Sequence, residues 1–461
     1  MSPSPEHSGS PAGADVDVLV AGAGAAGLAA ALAAAHRGLE VMLVDANPDF
    51  REACCTVMST SMIPAGGSRW QDEAGIEDGP ELFLDDVMAK TKGEADPVVA
   101  RRLTEVGPAL VAWLADECGV PLGLVTDFTY PGHSRPRCHS VADRSGRTMH
   151  QHLLAAASRQ PDLALVAPRR LVDVELSDGR VSGAVLQTPD GASESLRTSA
   201  VVLATAGFAG NPERVAREIP EIAGSLYFGG DGAVGDGLAI GERLGADVGC
   251  LDAYQGHGSV ATPHGVLLTW ATVMHGAVLV NRDGERFGDE SQGYSEYART
   301  VIAQPGAEAW VLFDERIDAA CRSFADYAAC RSAGAVRRAD TLAGLAATIG
   351  VPKQALARTL QAAGPGDALG RTDWEAPLQP PYAAVRVTGA LFHTQGGLQV
   401  DEHAAVLRGG APIPGLYAAG GAAVGMSGHG PAGYLAGNGL LAALGLGYTA
   451  GSTINAHAEV A

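Results

Sequence analysis

The sequence predicts an α/β protein built on a parallel, dinucleotide-binding sheet, with a second domain in the same chain. Three observations carry this. The stretch "DVDVLVAGAGAAGLAAALAAAHRGLEVMLVDA" holds a strand, a glycine-rich turn, a helix, a second strand and a terminal acid in register. Two more apolar strands that run into glycines, "SAVVLATAG" and "PIPGLYAAGG", lie far along the chain. At 461 residues the chain is also too long for one ordinary core.

The elements follow in order. The opening "MSPSPEHSGSPAGAD" has neither a basic nor an apolar region of a secretion signal, so residues 1–14 read as a short disordered tail. Val16 to Val20 reads as a buried parallel strand. In the turn that follows, Gly22 permits the tight bend, Gly24 lets the backbone approach a pyrophosphate, and Gly27 lets the helix pack on the strand. Gly38 closes the helix, and "EVMLVDA" is a second strand ending in Asp45, placed to accept from ribose hydroxyls. The longest apolar run, 16–35, is this unit and calls for no membrane. The stretch "FTYPGHSRPRCHS", 128–140, concentrates a tyrosine, two histidines and two arginines in a chain with only 18% charged residues. It reads either as a substrate site or as a polar loop, since Pro131 and Gly132 are also ordinary turn residues. Ala200 to Leu203 is a strand leading into Ala204, Thr205, Ala206 and Gly207. "ADTLAGLAATIGVPKQALARTL", 339–360, reads as helix, turn and helix.

A formal net charge of −20 disfavours binding nucleic acid or anionic membrane by charge. Seven cysteines, an odd number without a CxxC pair, fit a reducing compartment better than a disulfide framework. The adjacent Cys54 and Cys55 do not form a redox dithiol motif, and no His/Cys group has metal-ligand spacing. A soluble cytoplasmic protein is expected.

The dispersed glycine turns resemble the two-dinucleotide-fold flavoproteins. "STSMIPAGGSRWQ", 59–71, is similar to the loop that passes their flavin ring. Four further stretches narrow the resemblance: "GGDGAVGDGLAIGERLGA", "GAVLVNRDGERFGDES", "VTGALFHTQGGLQVD" and "GPAGYLAGNGLLAA". The second resembles an "ILVN..G.RF.NE" hairpin and the third an "HTMGGL" turn. Together they identify the chain as a member of the fumarate reductase and succinate dehydrogenase flavoprotein superfamily. The resemblance implies a Rossmann-like FAD domain of glutathione reductase type with an inserted α+β capping domain. Its parts fall at 15–250 and 381–451 for the FAD domain, 251–380 for the cap and 452–461 for a tail. The active site then lies between cap and isoalloxazine.

The same resemblance assigns residues. FAD falls to Gly22, Gly24, Ala25, Ala26, Gly27, Asp45 and Ala46; to Ser59, Thr60, Ser61, Gly66 and Gly67; to Val172, Ala204, Thr205, Gly207 and Asp236; and to Gly420, Gly421, Asn438, Gly439 and Leu440. Relatives with tethered FAD carry a histidine in the loop that reads "ACCTVMSTSM" here, so non-covalent FAD is expected. Among fumarate reductase positions, His257, Thr269 and His393 are retained. The relay glutamate is replaced by Trp270, the cap arginine aligns best with Asp318, with Arg316 two residues early, and the clamp turn reads "GHGPAGYLAGN" without arginine. An anion clamp cannot be replaced by Trp or Gly without losing its charge-assisted bonds.

The pattern is closer to the branch that desaturates cyclic ketones, the 3-ketosteroid Δ1-dehydrogenases and the cyclohexanone or 4-oxocyclohexanecarboxylate type. There "ES..Y" supplies a tyrosine, here Tyr294, and an earlier loop a second, here Tyr130. The tyrosine that polarises the ketone is missing, leaving His429 and the Gly430 or Gly433 amide as donors. Arg135 or Arg137 would suit a carboxylated substrate. The expected activity is an FAD-dependent dehydrogenase: tyrosine-assisted removal of the α proton, with β hydride passing to flavin N5. Its alternative is an ene reductase of a non-dicarboxylate enoate. Either needs a diffusible electron partner.

Overall fold

The computed structural model describes residues 14–127, 129–130 and 132–455. Most of both expected tails lies outside these residues, as does Pro131 of the expected turn. The last helix, however, runs to Thr453, past the expected boundary at 451.

Two compact units make up the chain. One comprises 1–218, 229–254 and 393–461; the other comprises 219–228 and 255–392. The inserted unit thus ends at Phe392 rather than near 380. The reason is one long strand, Tyr382–Thr394, which occupies the middle of that unit's sheet. A short segment, 219–228, also joins the inserted unit because Leu226–Tyr227 pairs with Ala390 and Leu391.

The first unit is built on a six-stranded sheet. Val18–Ala21 lies between Val41–Val44 and Ala200–Leu203, parallel to both. Leu163–Val166 extends one side, and Ala411–Ala418 the other, again parallel. The antiparallel strand Ala405–Arg408 closes that edge. Val18–Ala21 and Ala200–Leu203 are buried at every residue, as strands covered on both faces must be, which is why they read as unbroken apolar runs. Helix Ala25–Ala35 is buried throughout and packs against Asn438–Thr453. Small side chains make this possible: a Cβ on Gly447 or Gly451 would stand 2.2 Å from the carbonyl oxygen of Ala26 or Ala30. Small antiparallel sheets complete the described part of the unit, among them Val248–Gly249 paired with Gly397–Leu398. Another joins Arg170–Ser177, Arg180–Gln187 and Ser193–Arg197, and a further one joins Ile63–Pro64, Cys138–Ser140 and Gly123–Leu124.

The second unit is an antiparallel sheet in the order Val266–Leu267, Tyr254–Ala261, Tyr382–Thr394, Ala309–Asp314, Val278–Val280. One core cluster includes Val278, Val280, Trp310 and Leu312. It takes Leu345, Ile349 and Leu356 from the helices Leu342–Ile349 and Lys353–Ala362, the expected pair around Gly350. The other core cluster contains Trp270, Tyr297, Phe313 and Tyr327. All seven cysteines are free. Among the described residues no helix is long and apolar enough to cross a membrane, and no group of acidic, His or Cys side chains could hold a metal ion.

Candidate active site

The glycine turn separates what the chain needs from what a ligand needs. Gly22 has φ +110°, and a Cβ there would lie 2.2 Å from Ala204 O; one on Gly27 would lie 1.7 Å from Gly22 O. Both are required by the fold itself. Gly24 has extended backbone, φ −78°, and a Cβ there would meet only Thr56 Oγ1, at 3.4 Å. No protein atom demands a glycine at this position. The open face at the start of a helix is a cradle for a phosphate-bearing group.

Around the turn, the Ala25 amide donates to Thr56 Oγ1 at 2.8 Å. The Ala23 and Asn47 amides donate to the two oxygens of Asp45, at 2.7 and 2.8 Å. Burial raises the Asp45 carboxyl above its usual range, against the pull of these amides. His150, fully buried, donates from Nε2 to Ala23 O at 2.8 Å. Thr56 and His150 support the turn, yet neither shows in the sequence motif. They reach it from 31 and 127 residues away, beyond any local spacing signal.

The remaining residues expected at FAD are distributed as follows. Ala46 and Thr60 are exposed. Ser59 Oγ donates to Thr56 O, and Ser61 Oγ pairs with Ser140 Oγ at 2.5 Å. Gly66 packs on Gly79, and Gly67 takes φ +87°. Val172 is half-buried in its strand, with its carbonyl taken by Arg243. Thr205 Oγ1 accepts from the Gly237 amide, capping the helix that starts at Asp236. Asp236 itself is half-buried and forms a bidentate ion pair with Arg170, so its carboxylate is already engaged. The Gly207 and Gly421 turns touch backbone to backbone, and Gly420 is left-handed. Ala26 lies in the first turn of the first helix, and Leu440 in that of the last. Asn438 is fully buried at the start of Asn438–Thr453, and neither Oδ1 nor Nδ2 has a partner. An unpartnered buried amide is costly and marks a place where a ligand completes the bonding.

His393 stands over the same helix start. A Cβ on Gly439 would be 2.8 Å from its Cε1 and 3.0 Å from its Nε2. Its Nδ1 faces Gln395 Nε2 at 2.9 Å, and Gln395 Oε1 accepts from Ser427 Oγ at 3.1 Å. Tyr434 meets the imidazole edge-on at 5.8 Å. Burial lowers His393 to about 4.

Of the described residues in the polar stretch at 128–140, His133 and Arg137 to Ser140 are buried, while Thr129, Gly132, Ser134 and Arg135 are exposed. Arg137 is fully buried, with Nε and Nη2 on Asp78 and Nη1 on Asp86. Each of its three nitrogens bonds a protein group, so it is a loop anchor and not a free carboxylate clamp. The sequence hides this because its acids lie 59 and 51 residues earlier. Arg135 is exposed and donates to the carbonyls of Glu77 and Ser134. His133 donates to Ala436 O and His139 pairs with Ser68, and burial lowers each to about 4. Tyr130 is half-buried against Met62, Val125 and Cys138. Part of the turn expected to supply ketone donors is engaged with protein groups. His429 is exposed and bonds Asp252 at 2.7 Å, with Cys250 Sγ at 3.9 Å from its other nitrogen. Gly430 O accepts from the Tyr254 amide, and Gly433 packs on Ser427 O.

In the second unit the expected residues form an aromatic group. The His257 ring stacks with Tyr294 at 4.9 Å and with Phe392 at 5.4 Å, and meets Trp270 edge-on at 5.8 Å. Its Nδ1 accepts from the Ser259 amide at 3.3 Å, which leaves the proton on Nε2. Burial pushes it down to about 3, so it is a neutral donor. Thr269 is buried beside Trp270 and accepts from the Ala271 amide. Helix Tyr294–Ile302 sets Tyr294 and Tyr297 on one face. Tyr297 is fully buried with an unpartnered hydroxyl, and the "ES..Y" pattern does not mark it. Asp318 is buried among Arg322, Arg338 and Tyr327, while Arg316 pairs with Glu375.

A model of the FAD binding domain matches residues 17–440. The chain belongs to the FAD binding domain family. Within it the flavoprotein falls in the fumarate reductase and succinate dehydrogenase superfamily. It is 30% identical over 422 residues to "Fumarate reductase (cytochrome)" of Shewanella frigidimarina, covering 88% of this chain and 71% of that protein. Identity to "4-oxocyclohexanecarboxylate 2-dehydrogenase" of Sinomonas cyclohexanicum is 28%, over 95% and 92% of the two chains. The open conformation of a flavocytochrome c3 fumarate reductase superposes with TM-score 0.80 at 30% identity, covering 96% and 78%. The flavoprotein is an FAD-dependent oxidoreductase of CH–CH bonds. The open Gly24 face and the unpartnered Asn438 amide fit that cofactor.

Proposed function

We propose that the flavoprotein desaturates a cyclic ketone or a related small carbonyl compound, introducing a double bond between its α and β carbons. The observation that carries this is the stack of Tyr294, His257, Phe392 and Trp270. It offers flat apolar surface, one phenol and one neutral imidazole. A dicarboxylate needs fixed cations instead. The whole-length likeness to a dehydrogenase of a cyclic oxo acid supports the same reading.

In this mechanism Tyr294, as its phenolate, takes the α proton and becomes the neutral phenol. A phenol titrates near ~10, so it needs an acidified substrate. Neutral N–H donors on the carbonyl oxygen provide that by stabilising the enolate. Bound FAD supplies the two-electron acceptor for the β hydride, so the substrate loses one proton and one hydride in all. We infer that FAD is held without a covalent link, because "ACCTVMSTSM" offers no histidine. Electrons then leave to a diffusible acceptor or redox partner, in a cytoplasmic setting that suits seven free thiols. A second reading, reduction of a non-dicarboxylate enoate, is favoured by the identity to fumarate reductases.

The test is anaerobic mixing of the holoprotein with cyclohexanone, 4-oxocyclohexanecarboxylate and larger cyclic ketones while flavin absorbance is followed. Bleaching by a saturated ketone is expected. If none bleaches the flavin, and an enoate reoxidises the dithionite-reduced protein, the reductase reading replaces this one.

A further inference from the structure

The "HTQGGL" turn departs from the "HTMGGL" pattern at one position, Gln395. A buried glutamine where relatives carry a thioether must have its amide bonded, and both ends are. The backbone of Gln395 is fixed on two sides: its N–H donates to Ala253 O and its carbonyl accepts from the Gly425 amide, each at 2.8 Å. Ser427, also buried, donates its hydroxyl to Oε1. In this orientation of the amide, Nε2 faces His393 Nδ1, 2.9 Å away. The competing partner for Nδ1, Thr394 O, is at 3.4 Å, too long to prevail. An amide N–H can only donate, so Nδ1 offers its lone pair, and the single proton of the neutral ring sits on Nε2. That nitrogen lies over Gly439 in the first turn of Asn438–Thr453.

We propose that Gln395, held beside Ser427, is a positioning residue that fixes the tautomer of His393, so that its Nε2–H donates a hydrogen bond to the carbonyl oxygen of the substrate. The proposal rests on the ketone reading above. It adds a carbonyl donor from the "HTQGGL" turn.

The test uses the FAD-loaded protein with 15N-labelled histidine, His393 being assigned by its loss in His393→Gln. The wild type should show a protonated Nε2 and a bare Nδ1. In Gln395→Glu the carboxylate can only accept, so the proton should move to Nδ1. Flavin reduction by the ketone should then fall by ~10²-fold in kcat, the size of one lost oxyanion donor, with less change in KM and FAD retained. Gln395→Met, which leaves Nδ1 without a donor, should give a mixed tautomer and a smaller loss. It also serves if the Glu variant does not fold. A wild-type His393 protonated on Nδ1, or a relocated proton with kcat within about twofold of wild type, overturns the proposal. If no cyclic ketone bleaches the wild type, the ketone reading fails, while the nitrogen spectrum still decides whether Gln395 sets the tautomer.

Discussion

Replacing Gly24 and Gly27 by alanine separates cofactor binding from folding. At Gly24 the new methyl meets only Thr56 Oγ1 at 3.4 Å, and the backbone is extended, so the apoprotein accommodates it. Removing a glycine from the unfolded chain even stabilises by about 0.4–1 kcal/mol. For a chain of 461 residues that is a Tm rise of about 1 °C or less. A phosphate resting on this face, however, is displaced by the methyl. Overpacking of that kind costs ~1–3 kcal/mol, or ~5–150-fold in Kd for FAD. At Gly27 the methyl falls 1.7 Å from Gly22 O, so helix and strand must part, which costs at least ~3 kcal/mol before any ligand arrives. The assay is FAD titration of both apoproteins, followed by flavin fluorescence, beside their melting curves. Gly24→Ala should bind FAD weakly and melt like wild type; Gly27→Ala should fail in both. Wild-type FAD affinity in Gly24→Ala would refute the assignment of the open face to the cofactor.

Further outcomes follow from the same geometry. Tyr294→Phe keeps the ring stacked on His257, so FAD content and Tm should hold while flavin reduction by a saturated ketone falls ~10²–10⁴-fold; wild-type rates would make Tyr294 a wall residue. Arg137→Met leaves Asp78 and Asp86 facing a buried gap and should cost ~3–5 kcal/mol in urea unfolding. Burial alone would raise Asp86, but Ser134 and Arg137 outweigh it and hold it low. Its contribution is therefore complete above the ordinary carboxylate range and lost as pH falls through the lowered folded value, which an acid-unfolding series of wild type and Arg137→Met can read. Because burial holds His257 near 3 and His393 near 4, neither should produce a break near 6.5 in the rate–pH profile. Stability should fall as pH drops from about 6.5 toward 4, where only the unfolded chain binds those protons. Turnover of fumarate with reduced viologen should be slight, since by resemblance Trp270 stands where fumarate reductases carry the glutamate of their proton relay; rates like those of a dedicated reductase would contradict that alignment.

The sequence by itself determined the parts whose physics is local. Gly22 and Gly27 announced the turn because each must admit a backbone atom supplied by its own βα unit or the neighbouring strand, and the unbroken apolar runs announced strands covered on both faces. Order along the chain was enough to place Tyr294, His257 and Trp270 in one inserted unit. Tertiary structure alone decided how polar side chains are employed. Arg137 looked free in the sequence and is buried on Asp78 and Asp86; His429 looked like a donor and is bonded to Asp252; Asp236 looked like a cofactor ligand and is paired with Arg170. Thr56 and His150 carried no motif, and Gln395 stood in one only as a departure from it, yet they support the glycine turn and face His393. The physical reason is range. Backbone dihedrals and burial patterns are set within a few residues, whereas a hydrogen bond or ion pair chooses its partner from whatever the folded chain brings within about 3 Å, often from more than a hundred residues away, as in His150 on Ala23.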